Sequence, residues 1–99
     1  MANPEHVKLA SSGPDALDSW RENNPETQLD LEGADLSGVN LAGTKIRGAN
    51  LKGANLSHSR LSRANLAGAN LSGANLAECD LGQAGMASCD LTSANLVNV

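Results

Sequence analysis

A large aliphatic residue, leucine in all but two cases, recurs at every fifth position of this 99-residue sequence, fourteen times without a break. A helix turns by about 100° per residue, so residues five apart would be scattered around its axis. In a continuous strand they would point alternately to opposite faces, because five is an odd number. The pattern therefore requires a backbone that bends once in every five residues. The recurring residues are Leu31, Leu36, Leu41, Ile46, Leu51, Leu56, Leu61, Leu66, Leu71, Leu76, Leu81, Met86, Leu91 and Leu96.

The other positions of the five-residue unit indicate where the bend lies, if the large residue is called i. Position i−2 is small, most often alanine, so i−2 and i together fit a narrow interior. Position i+2 is glycine in seven units, which suits a sharp corner. Position i−1 is Asn or Asp in eleven of the fourteen units, and such short side chains hydrogen-bond local backbone at bends. Each unit is predicted to form one side and one corner.

The tandem pattern A-[DN]-L-x-x resembles the pentapeptide-repeat family from about Asp30 to Val99. The resemblance implies an all-β solenoid, a right-handed quadrilateral β-helix with about 3.5 coils of roughly twenty residues. The preceding segment is also similar to a short leader that many bacterial members carry. The residues behind this second likeness are Trp20, Arg21, Asn24 and Pro25.

A short helical cap is predicted over residues 1–28, followed by the repeat solenoid over 29–99. An Asn-Pro pair and a Gly-Pro pair each suit a helix start, because proline is tolerated in the first turn. We therefore expect helices at about 4–10 and 14–23.

The first coil of a solenoid needs a cover for its apolar interior and its unpaired backbone groups. Val7, Leu17 and Trp20 fall on the expected helices. We expect these three side chains to shield Leu29 and Leu31.

Composition argues against several classes of protein. The formal net charge of −4 favours neither nucleic-acid binding nor anionic lipid binding. No apolar run suits a signal peptide or a membrane span, so a cytoplasmic location without membrane contact is expected. Cys79 and Cys89 are then reduced, and their ten-residue spacing places them on opposite walls of the core. His6 and His58 lack partners at ligand spacing and are interpreted as surface residues, so no enzyme activity, cofactor or metal is predicted.

All cations of the repeat region fall in one short stretch, with acidic residues before and after it. This stretch is a candidate interaction surface, although ordinary pairing between coils is the favoured explanation. A twenty-residue coil would place Arg60 between Asn40 and Asp80, for example. The candidate residues are Lys45, Arg47, Lys52, Arg60 and Arg63.

The repeat pattern is still in register at the last residue, so the final coil is expected to be uncapped. Its apolar residues are candidates for an end-to-end contact, which would make a homodimer or continue the column through another repeat segment. These candidates are Leu91, Leu96, Val97 and Val99.

The function predicted best is a non-enzymatic protein-interaction or scaffold module whose protein partner is unknown. The alternative is a DNA mimic that modulates a type II topoisomerase such as gyrase, a role known for some members of the family. Six acidic residues against five basic ones leave the repeats at a net charge of −1, far from that of DNA. Ice binding would need rows of threonine, and the repeats contain only Thr44 and Thr92.

Overall fold

In a computed structural model, which describes residues 2–99, the chain forms two short helices followed by a column of stacked coils. Helix α1 spans Pro4–Ser11 and helix α2 spans Pro14–Asn23. Each begins at a proline, whose missing N–H is not needed in the first turn. Met1, the first residue of the predicted cap, lies outside the described residues.

Parallel β-bridges define the coil. Each of ten bridges joins a residue to the one twenty positions later, as Asp30 with Asn50 and Asn75 with Asn95. The bridges form four rows, so the column has four sides, which we number by their large inward residues. Side 1 contains Leu31, Leu51, Leu71 and Leu91; side 2 contains Leu36, Leu56, Leu76 and Leu96; side 3 contains Leu41, Leu61 and Leu81; side 4 contains Ile46, Leu66 and Met86.

Turns occupy much of each coil, and within residues 2–99 every bridge is isolated and no extended strand forms. The reason is that positions i+1 and i+2 turn in every unit, which leaves three residues between turns. A hydrogen bond closes the turn, as from the N–H of Ala34 to the carbonyl of Leu31 at 3.0 Å. The solenoid is therefore a stack of turns joined by single bridging residues.

Every one of the fourteen corners uses the same left-handed backbone conformation at position i+2, with φ between 58° and 72°. A positive φ at this place is typical of a type II turn. In the first ten corners the N–H of the corner residue donates to the next coil, as from Gly33 to the carbonyl of Lys52 at 2.8 Å. Glycine marks seven corners, and seven other residues adopt the same strained angle. These seven are His58, Arg63, Glu78, Gln83, Ser88, Ser93 and Asn98.

The Asn and Asp side chains at i−1 brace the turn that follows them. Oδ1 of each of the eleven accepts the N–H two residues later, as Asn40 from Ala42 at 3.0 Å and Asp80 from Gly82 at 2.9 Å. This bond satisfies a backbone donor that the turn leaves unpaired. The repeated amide is thus part of the corner.

The interior is a stack of aliphatic layers. The ten large residues from Leu31 to Leu76 have no solvent exposure, and most of the small i−2 residues beside them are buried. The two buried hydroxyls are paired: Thr44 Oγ1 donates to the carbonyl of Leu41 at 2.7 Å, and Ser59 Oγ lies 3.2 Å from Cys79 Sγ. The narrow column thus buries its polar groups only with partners.

The two cysteines are free thiols at inward positions of the column. Cys79 is buried, and Cys89 is half-buried with its Sγ donating to the carbonyl of Leu66 at 2.8 Å. Burial raises the pKa of both thiols above the ordinary cysteine value. Both therefore pack as small, protonated core residues at neutral pH.

The helices pack on the first coil. Leu17 is buried in the same cluster as Leu29 and Leu31, while Val7 and Trp20 pack against it half-buried. The three side chains that the sequence placed over the first coil therefore do pack against the cluster that contains Leu29 and Leu31. The helices thus continue the apolar interior beyond the first coil.

The interpretation of His6 as a surface residue is wrong. Its side chain is only 8% exposed, and Nδ1 accepts the N–H of Asp30 at 2.9 Å. The ring meets Trp20 edge to face, with 4.9 Å between the ring centroids. His6 was misjudged because its partner is a backbone group 24 residues away, which no ligand spacing could indicate.

Candidate functional site

The five cations of the repeats are all exposed, but the coil distributes them over three sides. Lys45 and Arg47 lie on side 4 in the first coil. Arg60 and Arg63 lie on side 3 in the second coil, and Lys52 lies on side 1. The continuous stretch in the sequence therefore becomes two pairs and a single residue on the surface.

Helix α2 adds a sixth cation, Arg21, to the pair on side 4. Arg21, Pro25, Lys45, Arg47 and Asn65 line a cavity of about 290 Å³ between the end of the helix and the column. We call this cavity the basic cleft. A neighbouring cavity of about 320 Å³ shares three of these residues and follows residues 26–28.

The Arg21 guanidinium is held by backbone carbonyls. Nη1 donates to Thr27 at 2.7 Å and to Asn24 at 3.2 Å, and Nε donates to Lys45 at 3.3 Å. The group also lies 5.0 Å from the ring centroid of Trp20. Sequence reasoning used Arg21 only as part of a leader motif. The one sequence signal for this arrangement was that Arg21 directly follows Trp20.

Side 3 shows how far coil-to-coil pairing explains the remaining cations. Arg60 does stack between Asn40 and Asp80, and yet it forms no ion pair in the part of the chain that the structure describes. Arg63 Nε donates to the amide oxygen of Gln83 at 3.3 Å. The acidic neighbours therefore do not neutralise this pair through direct contact.

One contact between a stacked histidine and carboxylate does form on side 2, among residues 2–99. His58 Nδ1 lies 3.0 Å from Glu78 Oε2, and the two side chains are 67% and 49% exposed. Exposed pairs of this kind contribute only about 0–1 kcal/mol. It is a minor link between coils rather than a reactive site.

The other candidate surface is the top of the column, which we call the open end. Leu91 is half-buried, whereas Leu96, Val97 and Val99 are 44%, 60% and 52% exposed. The large residues of the same coil, Leu81 and Met86, have also lost the complete burial of the layers below. All four predicted end residues thus lie in the last coil and are at least partly exposed.

The backbone N–H groups of the open end that face away from the column also lack ladder hydrogen bonds. In the earlier coils, the N–H groups of positions i and i+2 donate to the coil above, as from Leu76 to Asn95 at 2.8 Å. Within residues 2–99 no coil lies above residues 81–98 to accept the corresponding bonds. The open end therefore offers both apolar area and directed donors.

Neither helix is long and apolar enough to cross a membrane, and the structure describes all of the chain except Met1.

Comparison with known proteins agrees with this repeat geometry. The family model for pentapeptide repeats matches residues 27–63 and 64–99, with eight copies. The chain belongs to the pentapeptide repeat family. No curated protein sequence matches it at a significant level.

Solved structures of the same family are similar to this chain. Rfr23 from the cyanobacterium Cyanothece 51142 is 34% identical, with a TM-score of 0.62 over 65% of this chain and 44% of that one. HetL from Nostoc sp. strain PCC 7120, a protein involved in heterocyst differentiation regulation, is 32% identical over 69% of this chain and 36% of its own, with a TM-score of 0.38. The present chain thus spans less than half the length of either.

A pentapeptide repeat protein of the Arabidopsis thaliana thylakoid lumen shares the fold across nearly the whole chain. It is 20% identical, covers 98% of this chain and 67% of its own, and has a TM-score of 0.56. At this identity the likeness shows a shared fold.

Proposed function

We propose that this protein is a non-enzymatic interaction module that docks a partner on the open end of its column. The observation that carries the proposal is the uncovered last coil, where apolar side chains and unpaired ladder N–H groups share one surface. Such a surface is a template for a further β-layer. The proposed layer is the open end of a second copy of this chain.

The mode of contact follows from the ladder. Each coil below holds the next one through backbone hydrogen bonds and an aliphatic layer, and these are the two features that the open end leaves available. A second open end would cover Leu91 and Leu96 with equivalent residues. A further repeat segment would cover the same surface in the same way.

The test is the mass in solution, measured by light scattering from low to high micromolar concentration. The wild type should rise from 10.1 kDa toward twice that mass. Leu96→Lys places a charge in the contact and should keep the mass at the monomer value. Ser62→Lys adds the same charge on side 3 and should dimerise like the wild type. A wild type that stays monomeric at high micromolar concentration contradicts the proposal.

A DNA-mimic role on a type II topoisomerase is not part of this proposal. Duplex DNA carries about one charge per 1.7 Å of its axis. The repeat region has a net charge of only −1, and the exposed Lys45 and Arg47 interrupt its acidic surface. The charges favour a protein contact instead.

We further infer that the column is right-handed, as the family resemblance implies. Fourteen units at twenty residues per coil correspond to about 3.5 coils. We also propose a cytoplasmic location, where the free thiols Cys79 and Cys89 would stay reduced.

A further inference from the structure

The basic cleft lies at the opposite end of the column from the open end, and the interaction proposed above does not use it. Its walls come from two distant parts of the chain: Arg21 and Pro25 from the end of the cap, and Lys45, Arg47 and Asn65 from side 4. The adjoining cavity widens it along residues 26–28. Together they form a concave surface with three cations.

Arg21 is already fixed in place before any ligand arrives. Three hydrogen bonds to backbone carbonyls and the contact with Trp20 hold its guanidinium. Ordering this side chain therefore adds little to the cost of binding. Its remaining nitrogen, Nη2, is buried without a hydrogen-bond partner. A buried N–H donor of this kind is normally paired, and no protein group among the described residues pairs with it here.

Lys45 and Arg47 supply mobile charge at the mouth of the cleft. Both are exposed, and among residues 2–99 neither forms an ion pair with a carboxylate. Two carboxylates lie nearby. Asp18 uses its Oδ1 to accept the N–H of Lys45 at 3.1 Å, and Glu26 lines only the adjoining cavity. The lining of the cleft itself thus contains three cations and no carboxylate.

We propose that the basic cleft binds an oxyanion, a carboxylate or a phosphate group, between Lys45 and Arg47 with the charge of Arg21 behind it. Lys45 and Arg47 at the mouth can close on the anion, whereas Arg21 contributes a positive charge that is held in place. The Asn65 side chain adds an amide that can donate to the same group. The site takes a single oxyanion group, and the ligand that carries this group is acidic.

The experiment titrates the full chain with two probes, inorganic phosphate and an acetylated diglutamate peptide, at constant ionic strength. Two signals report on the cleft: the fluorescence of Trp20, which is the only tryptophan, and the amide shifts of Lys45, Arg47 and Asn65. Saturable changes confined to these amides support the site. Saturation by phosphate alone assigns a phosphate ligand, and saturation by the peptide alone or by both assigns carboxylate binding.

Matched charge variants complete the test. Lys45→Ala and Arg47→Ala should each weaken the Kd for the saturating probe by about fivefold or more. Lys52→Ala removes the same charge from side 1 and should leave the Kd unchanged. Saturation by neither probe at about 50 mM would overturn the proposal. Equal weakening by all three variants would also overturn it, because binding would then follow net charge alone.

Discussion

At the N-terminal end of the column, backbone and side-chain groups of the helical cap complete hydrogen bonds of the first coil, whereas no such groups lie at the open end among residues 2–99. Asp30 has its N–H bonded to His6 Nδ1 at 2.9 Å and its carbonyl bonded to the N–H of Asn3 at 3.1 Å. The N–H of Lys45 donates to the Asp18 carboxylate at 3.1 Å. The cap thus replaces part of the coil that would otherwise lie below.

The open end shows what a repeat lacks when it has no neighbour. The large residues of the first coil are fully buried, whereas Leu96 in the last coil is 44% exposed. Both coils have the same five-residue pattern, so the pattern itself does not close an end. The difference teaches that closure depends on residues outside the repeat, placed to meet particular backbone groups.

The corners differ between the ends as well. The first five corners are all glycine, from Gly33 to Gly53, and the last five, from Glu78 to Asn98, contain none. Glycine adopts a positive φ without the penalty of a side chain, which is about 1–2 kcal/mol per residue. The open end is therefore the more strained half as well as the less covered one.

The largest predicted effect compares the interior with the open end. Leu66→Asp places a carboxylate at a position with no solvent exposure and no polar partner. We expect it to destabilise the column by about 4 kcal/mol or more, enough to remove cooperative unfolding. Urea unfolding followed by circular dichroism measures the loss.

Leu96→Asp is the matched control, because it makes the same change where the side chain is 44% exposed. In dilute monomer its cost should be below about 1 kcal/mol. Equal stability losses at the two positions would contradict the difference in burial between the interior and the open end.

The second prediction breaks the cap at one hydrogen bond. His6→Leu keeps an apolar side chain under Trp20 but leaves the N–H of Asp30 without its acceptor. The expected loss in the free energy of unfolding is about 1–3 kcal/mol. His6→Asn, whose Oδ1 can take the place of Nδ1, should recover part of that loss. If Leu and Asn destabilise equally, the hydrogen bond contributes nothing and only the ring matters.

Much of this fold could be predicted because its rules are local. The five-residue period predicts the inward residues and the bend, and the family resemblance supplies the twenty-residue coil. The proline pairs located the helices, expected at 4–10 and 14–23 and found at Pro4–Ser11 and Pro14–Asn23. The non-glycine corners were missed, because they adopt a positive φ that their side chains do not favour. Inter-coil hydrogen bonds from the corner N–H help to hold three of them, His58, Arg63 and Glu78.

The candidate site was harder to predict for a physical reason. The basic cleft joins Arg21 to Lys45, and the cap bond joins His6 to Asp30; each pair is 24 residues apart and crosses from irregular sequence to repeat. No periodicity connects such positions. The division of the cations among three sides, in contrast, follows from the twenty-residue register once the coil length is known.

The third prediction tests the strain difference between the ends. Gly53→Ala should cost about 1–2 kcal/mol, because a methyl group there meets no atom within 4 Å and only the φ of 67° resists it. Ser93→Gly relieves the same angle near the open end and should add a few tenths of a kcal/mol. Thermal unfolding of both variants gives the comparison. A harmless Gly53→Ala would mean that the corners carry no strain.

The smallest effect concerns acid, and it compares Asp35 near the cap with Asp90 in the last coil. Hydrogen bonds from the hydroxyl and N–H of Ser37 lower the pKa of Asp35, and those from Thr92 lower the pKa of Asp90. A lowered folded-state pKa gives stability that is present above the unfolded value of about 4 and is lost as the pH falls through the folded value. Ser37→Ala should therefore reduce the fall in Tm between pH 5 and pH 2.5.

Thr92→Ala should change that fall less, because the open end can fray without unfolding the column. If Thr92→Ala has the larger effect, the last coil is as tightly coupled to the column as the first, and the contrast between the two ends fails.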